Sequence, residues 1–377
     1  MESVREFKGD DVPLFLMRRA VLIVGALAFV FAVTIFVGVR FGLLLAVGLG
    51  FGIALEGLRF GFAGPWRAMI LRRDPAGIWA QLLSIGIVTM VALPLIAANP
   101  GELTAAQAPI GFAMIGGAFV FGIAMQVVLG CGSGTLVNAG SGNPIGLLAL
   151  PFFALGSFAG AFHLFWWTDL GAVYIPNFSG IGGAIITIML LLFAAAVFWW
   201  FAAPENRYVT RRHVVAAVML ALLAILNLVI AGQPWGVVYG LGLWVAKAAT
   251  AMDASLSSSI FWSAPASVER IQSSVLTDYT SLTNFGIIAG AFIVAHWRFA
   301  DLSQRFSKLP LKAWVSTIIA GFLLGYSSRL AFGCNVGAFF SGISTGSLHG
   351  WVWFVAAFAG SFFGVRLRDH LGFVSRS

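Results

Sequence analysis

Residues 110–146 read IGFAMIGGAFVFGIAMQVVLGCGSGTLVNAGSGNPIG, and this stretch decides how the whole chain is read. Its first part, 109–129, is uncharged and nearly all apolar, which matches the roughly 20 residues a helix needs to cross the hydrocarbon of a bilayer. The continuation, 130–146, has six glycines together with Ser133, Thr135, Ser141, Asn143 and Pro144, and no charge. A solvated loop would be more polar. Irregular backbone at membrane depth is tolerated only when buried in protein or lining a wet cavity. The stretch therefore predicts a membrane helix that runs into a re-entrant turn carrying Cys131.

The same unit occurs again further along. Gly-Cys-Gly-Ser-Gly-Thr at 130–135 is matched by Gly-Cys-Asn-Val-Gly-Ala-Phe at 333–339, and Cys131 and Cys334 are the only cysteines in the chain. Gly122 and Gly325 each stand nine residues before their cysteine. Gly156-Ser157-Phe158-Ala159-Gly160 is repeated as Gly360-Ser361-Phe362-Phe363-Gly364, and the pairs Gly146/Gly350, Gly86/Gly290 and Asp74/Asp278 follow the same spacing. The chain thus reads as a duplication. The G-x-x-x-G spacing at 156/160 and 360/364 reads as close helix packing.

Composition puts both copies in a membrane. Hydrophobic residues make up 60% and charged ones 10%, and between Pro75 and Pro204 the sole charges are Glu102 and Asp169. Spans are expected at about 20–39, 77–98, 109–129, 146–166, 181–203, 214–231, 279–296, 313–331 and 350–366. None alternates apolar and polar residues as a barrel strand would. The run after Arg18 and Arg19 lacks a small-residue cleavage site and reads as a retained helix rather than a signal peptide.

Basic residues cluster at 8–19, 67–73, 207–212, 298–312 and 366–376, which the positive-inside rule assigns to the cytoplasm. The 97–108 and 166–180 loops have no Lys or Arg and are expected outside. The loop after the Gly86 helix carries only Glu102, whereas its counterpart after the Gly290 helix carries four Lys or Arg residues, so the copies are expected to run in opposite directions. Inverted repeats are a recurrent transporter architecture, with the substrate site near the midplane where the repeats meet. The expected fold is an all-α integral membrane protein of two inverted-topology repeats whose re-entrant hairpins meet near the midplane. Its expected parts are a cytoplasmic segment 1–19, a first repeat 20–204, a linker 205–213, a second repeat 214–368 and a cytoplasmic tail 369–377.

The turns suggest anion chemistry. Glycine lets backbone N–H groups approach a ligand closely, and a helix starting after each turn presents its positive end to an anion. Cys131 and Cys334 add a polarizable sulfur and a weak S–H donor. Each could instead be a small buried hydrophobe, and a disulfide between them is a further reading. Arg329, five residues before Cys334 in an apolar segment, is a functional candidate because an intramembrane arginine is costly. It is expected toward the cytoplasmic side of the pathway, with Gln126 at the matching place in the first copy.

The repeated Gly-Cys turns, the run 59–67 (Arg-Phe-Gly-Phe-Ala-Gly-Pro-Trp-Arg) followed by Leu71-Arg72-Arg73-Asp74, and Asn284-Phe285-Gly286 resemble the YeeE/YedE sulphur-transport family from about 40 to 368. The resemblance implies a bacterial inner-membrane, multi-pass protein, both termini cytoplasmic, that takes up thiosulfate or a related sulphur anion past cysteines lining a central passage. A selenium-associated branch is also attributed to the family. Carried over, the family cysteines fall on Cys131 and Cys334. Where members often carry a further cysteine, this chain has Gly61. Candidate substrate-binding residues are Cys131, Cys334, Gly130, Gly132, Ser133, Gly134, Thr135, Gly333, Asn335, Gly337, Arg329 and Gly61. The resemblance also implies a cytoplasmic sulfurtransferase or small sulphur-carrier protein as partner; no cofactor, metal site or nucleic-acid surface is expected.

Thiosulfate combines hard oxygens with one soft terminal sulfur, so backbone N–H donors plus thiols would separate it from sulfate. Moving a dianion inward against an inside-negative potential costs roughly 4.6 kcal/mol per 100 mV, so a co-ion or rapid consumption must offset it. Glu56, Asp74, Asp253, Glu269 and Asp278 are the internal acidic candidates, expected near the interfaces. A selenium-species transporter and an anion channel share the architecture. A thiol-dependent membrane enzyme is the rival from another class, with His163 or His349 as the base.

Overall fold

In chain order the helices of the computed structural model are α1 (Asp11–Phe36), α2 (Val39–Gly57), α3 (Ala63–Arg72), α4 (Ala76–Ala98), α5 (Phe112–Val128), α6 (Gly132–Gly140), α7 (Pro144–Phe162), α8 (Leu164–Thr168), α9 (Gly180–Phe201), α10 (Arg211–Ala231), α11 (Val238–Ala251), α12 (Pro265–Gln272), α13 (Tyr279–Trp297), α14 (Leu311–Leu330), α15 (Ser341–Ser344) and α16 (Leu348–His370). A π-helical segment, Asn335–Phe340, leads into α15. The structure describes residues 11–298, 309–371 and 373. Residues 1–10, 299–308, 372 and 374–377 lie outside the described residues, and with them parts of the expected N-terminal segment, the basic 298–312 loop and the C-terminal tail. One two-residue pairing, Ile110–Gly111 antiparallel to Ala172–Val173, ties the α4–α5 connection to the α8–α9 connection.

Ten helical segments among the described residues are long and apolar enough to cross a membrane, so the protein is an all-α, multi-pass membrane protein. The sequence expectation missed one of them, α2. Its uncharged part is only 41–55, bounded by Arg40 and Glu56, and falls short of a full apolar span. Its glycines explain its place. A side chain at Gly48 would meet the Thr283 carbonyl at 2.6 Å and the Gly286 Cα at 3.0 Å, so α2 and α13 pack backbone to backbone. With α2 present, two spans separate the basic clusters near Arg19 and Arg67, which lets both lie on one face. The single span expected from sequence would have put them on opposite faces.

The repeated residues have identifiable tasks. Asp278 caps α13 by accepting from Ser281 N–H at 2.7 Å, and its counterpart Asp74 accepts from Ala76 N–H at 3.1 Å at the start of α4. Gly156 and Gly160 press α7 onto α14, while Gly360 and Gly364 press α16 onto α5, as the G-x-x-x-G spacing predicted. The contacts recur with the halves exchanged. Gly156 sits against Phe322 and Gly360 against Phe119; Gly160 lies beside Arg329 and Gly364 beside Gln126; Gly325 rests on Phe153 and Gly122 on Ala357. α7 and α14 run the same way, since Gly321 meets Ala149 and Gly325 meets Phe153. The counterparts α5 and α14 run oppositely: Gly117, near the start of α5, lies on Ser327 and Ala331 at the end of α14.

Candidate functional site

Each Gly-Cys turn is built in the same way. α5 is followed by Leu129 (φ 52°) and α14 by Phe332 (φ 55°), two non-glycine residues in the left-handed region, each two positions before its cysteine. Backbone held there by a bulky side chain costs about 1–3 kcal/mol and is retained where surroundings over-determine it. The cysteine then caps a new helix. Cys131 precedes α6, its sulfur accepting from Gly134 N–H at 3.4 Å, and Cys334 precedes the π-segment. A 130–146 turn without regular structure was expected; the structure instead places the nine-residue α6 inside it. Thr135 donates its hydroxyl to the Cys131 carbonyl at 2.8 Å, and the Ser133 hydroxyl lies 3.4 Å from the Cys131 sulfur.

The two turns meet. A side chain at Gly132 would stand 2.7 Å from the Cys334 sulfur and 3.4 Å from Val237 Cγ1, so glycine is required there by the other turn's thiol. The amides of Ser133 and Gly134 lie near the Cys131 sulfur, Gly134 donating to it, and those of Gly132, Val336 and Gly337 lie near the Cys334 sulfur. Both cysteines are buried and free, which excludes the disulfide reading. Gly333 has φ 154°, and a Cβ would strike Ala338 N at 2.6 Å, so it too must be glycine.

Asn335, the counterpart of Gly132, is 0% exposed, and neither its Oδ1 nor its Nδ2 has a hydrogen-bond partner. An unsatisfied buried polar group costs about 1–3 kcal/mol. Nearby, Asn284 Nδ2 donates to the Val237 carbonyl at 3.0 Å while its Oδ1 has no partner. Trp235, stacked on Phe51 at 3.9 Å, leaves its indole N–H unpartnered. Trp235, Val237 and Asn284 were absent from the residues expected at the site. The Asn284-Phe285-Gly286 run was the available signal, but nothing in it tells which carbonyl the amide meets.

Gly130, Cys131, Ser133, Gly134 and Gly61 line one cavity of ≈ 350 Å³ with Glu56 and Arg59 at its rim. Gly61 is held there by Gln81, whose Nε2 donates to the Gly61 carbonyl at 2.9 Å. Cys334 is not among the residues lining this cavity. Arg329 stands at the end of α14 far from Lys312, beside Gly160 near the end of α7. A helix of 20 residues carries its ends about 30 Å apart, so α14 holds Arg329 well away from Lys312. The histidines turn to hydroxyls: His163 Nδ1 lies 3.2 Å from the Tyr326 hydroxyl and His349 Nδ1 2.5 Å from the Ser347 hydroxyl. Thiol–imidazole catalysis gains no support from these pairings.

Two free, buried thiols with backbone amides nearby, set where two Gly-Cys turns of a helical membrane bundle meet, form a neutral centre. The chain belongs to the sulphur transport family, whose model matches residues 58–363. It is 35% identical to the probable transporter YedE of Escherichia coli (strain K12) and 33% identical to that of Salmonella typhimurium over 97 residues, 26% of this chain. These matches span about a quarter of the length of the YedE proteins (24%). The thiosulfate transporter TsuA of Spirochaeta thermophila is 26% identical across 82% of this chain and 93% of that protein.

Proposed function

We propose that this protein carries thiosulfate, or a closely related sulphur anion, across the bacterial inner membrane through the junction of its two Gly-Cys turns. The observation that carries the reading is the fully buried Asn335 carboxamide, with no partner of its own, next to Cys334, whose sulfur abuts Gly132 of the other turn. Amide N–H groups of Gly132, Ser133, Gly134 and Gly337 and the Asn335 Nδ2 serve the hard oxygens. The Cys131 and Cys334 S–H groups serve the soft terminal sulfur, handing it on by transient S–H···S contacts. Likeness to TsuA supports thiosulfate as the substrate.

The halves are inverted repeats whose Gly-Cys hairpins are re-entrant. The antiparallel course of α5 and α14 and the exchanged glycine contacts support that arrangement. By the positive-inside rule the termini and the Cys131 cavity face the cytoplasm. A cytoplasmic sulphur-accepting protein that consumes the product offsets the electrical work of importing a dianion.

Uptake of labelled thiosulfate into proteoliposomes tests this. Cys131→Ala and Cys334→Ala, reconstituted to equal density, are expected to lower uptake at least ~10-fold, the loss of about 1.4 kcal/mol or more of stabilisation in the passage. Uptake at the parental rate in both variants, or equal competition by sulfate, overturns the reading.

A further inference from the structure

The connectors that follow α2 and α11 differ in length and in what they do. Five residues, 58–62, lead from α2 to α3, with the left-handed Arg59 (φ 51°) among them. Thirteen residues, 252–264, lead from α11 to α12, likewise with a left-handed residue, Asp253 (φ 60°), near the start. The short connector leaves the cavity that reaches Cys131. The long one turns Phe261 and Trp262 inward. Trp262 is 1% exposed, stacks on Phe158 at 5.6 Å and donates its indole N–H to the Phe158 carbonyl at 3.2 Å.

Arg329 lies under this connector. Its guanidinium sits 4.6 Å from the Phe261 ring and 5.7 Å from the Tyr239 ring, with Tyr239 itself 6.3 Å from Phe261. Its Nε is shut off from solvent and has no hydrogen-bond partner. The neighbouring cations are occupied: Arg270 lies 3.8 Å from Asp278, and Lys247 donates to the carbonyls of Ile271 and Ser273. The rings hold the face of the Arg329 guanidinium, but its N–H donors lie in the plane, where a planar or tetrahedral oxyanion binds. The equivalent place in the first half holds no cation. Gln126, at the equivalent place against Gly364, donates to the Ala63 carbonyl at 3.1 Å.

We propose that Arg329 is an oxyanion-binding site at the mouth leading to Cys334, and that the 252–264 connector is the lid over it. The inference rests on reading the Gly-Cys turns as the centre of a passage. The lid closes by laying Phe261 on Arg329 and anchors through Trp262. An anion bound on the exposed edge of the guanidinium draws Arg329 away from the ring and opens the way to Cys334, while the Cys131 side stays open.

Two measurements on the full chain test the lid and the site. In Cys131→Ala protein, where Cys334 is the sole thiol, labelling by a membrane-impermeant methanethiosulfonate is expected to rise at least ~10-fold on Phe261→Ala. The same substitution in Cys334→Ala protein is expected to leave Cys131 labelling unchanged. No acceleration at Cys334, or equal acceleration at both thiols, overturns the lid. Sulfate, which has no soft sulfur, probes Arg329 independently of thiosulfate selectivity. Millimolar sulfate is expected to raise the melting temperature of the parent and of Arg329→Lys, but not of Arg329→Gln, with Gln126→Ala behaving like the parent. An equal sulfate response in Arg329→Gln overturns the site. Because neither readout measures thiosulfate uptake, transport by the cysteine variants fails or succeeds separately from this proposal.

Discussion

The two Gly-Cys turns share a backbone plan and differ in what they place next to the sulfur. Both begin after a left-handed residue, both start a helix at the cysteine, and both sit in glycine-packed helix pairs that exchange partners between the halves. Yet the residue after Cys131 is Gly132, which yields its space to the Cys334 sulfur, whereas the residue after Cys334 is the unpartnered Asn335. The two turns therefore share a scaffold and differ in polar lining. Stability should respond to changes in the two halves alike, and transport should not.

The largest effect is expected where scaffold symmetry is strictest. Gly156→Val and Gly360→Val each force a branched side chain into backbone, against Phe322 and Phe119, and should lower stability by about 3 kcal/mol or prevent folding. Similar losses in detergent melting would support equivalence, and a large difference would break it. Next is Gly132→Ala, whose methyl meets the Cys334 sulfur and should cost about 1–3 kcal/mol. The cost should shrink in the Gly132→Ala, Cys334→Ala pair; additive melting shifts would mean that the thiol is not the obstacle.

Asn335→Leu should act in opposite senses on two readouts. Removing both unsatisfied atoms should stabilise the fold by about 1 kcal/mol while lowering thiosulfate uptake ~10-fold. Lower stability together with normal uptake would make Asn335 a structural residue. The smallest effect belongs to Gly61→Cys. Nothing lies within 4 Å of a Cβ there, so stability should change by less than about 0.5 kcal/mol. Because Gly61 lines the same cavity as Cys131, the introduced thiol should react readily with an aqueous reagent.

Much of this organisation was legible in the sequence because glycine and cysteine recur at fixed spacing, and helix packing in lipid depends on small residues whatever lies between them. The long apolar runs gave most spans. α2 escaped because Arg40 and Glu56 trim its uncharged part, and the fourteen-residue α11 because it is too short to register as a span. The site was legible as a list of residues but not as an arrangement. That Gly132 makes room for Cys334, or that Val237 links Asn284 to the turn, depends on contacts between segments far apart in sequence. Arg329 was noticed as an arginine in an apolar run, but its aromatic cover comes from the 252–264 connector, which is eight residues longer than the 58–62 connector of the first half.

The interruption between α5 and α6 has a consequence for how firmly an ion is held. α5 ends at Val128 and α6 begins at Gly132, so the carbonyl end of one helix and the amide end of the next converge within a few residues of Cys131. Their partial charges have opposite sign. An anion at that point is drawn by one helix and repelled by the other, which makes the energy well shallow. A deep well would bind an anion and keep it; a conduit must let it leave, and conduction requires binding weak enough for release. Near-cancelling helix ends would set turnover by how the anion moves on rather than by how tightly it is caught.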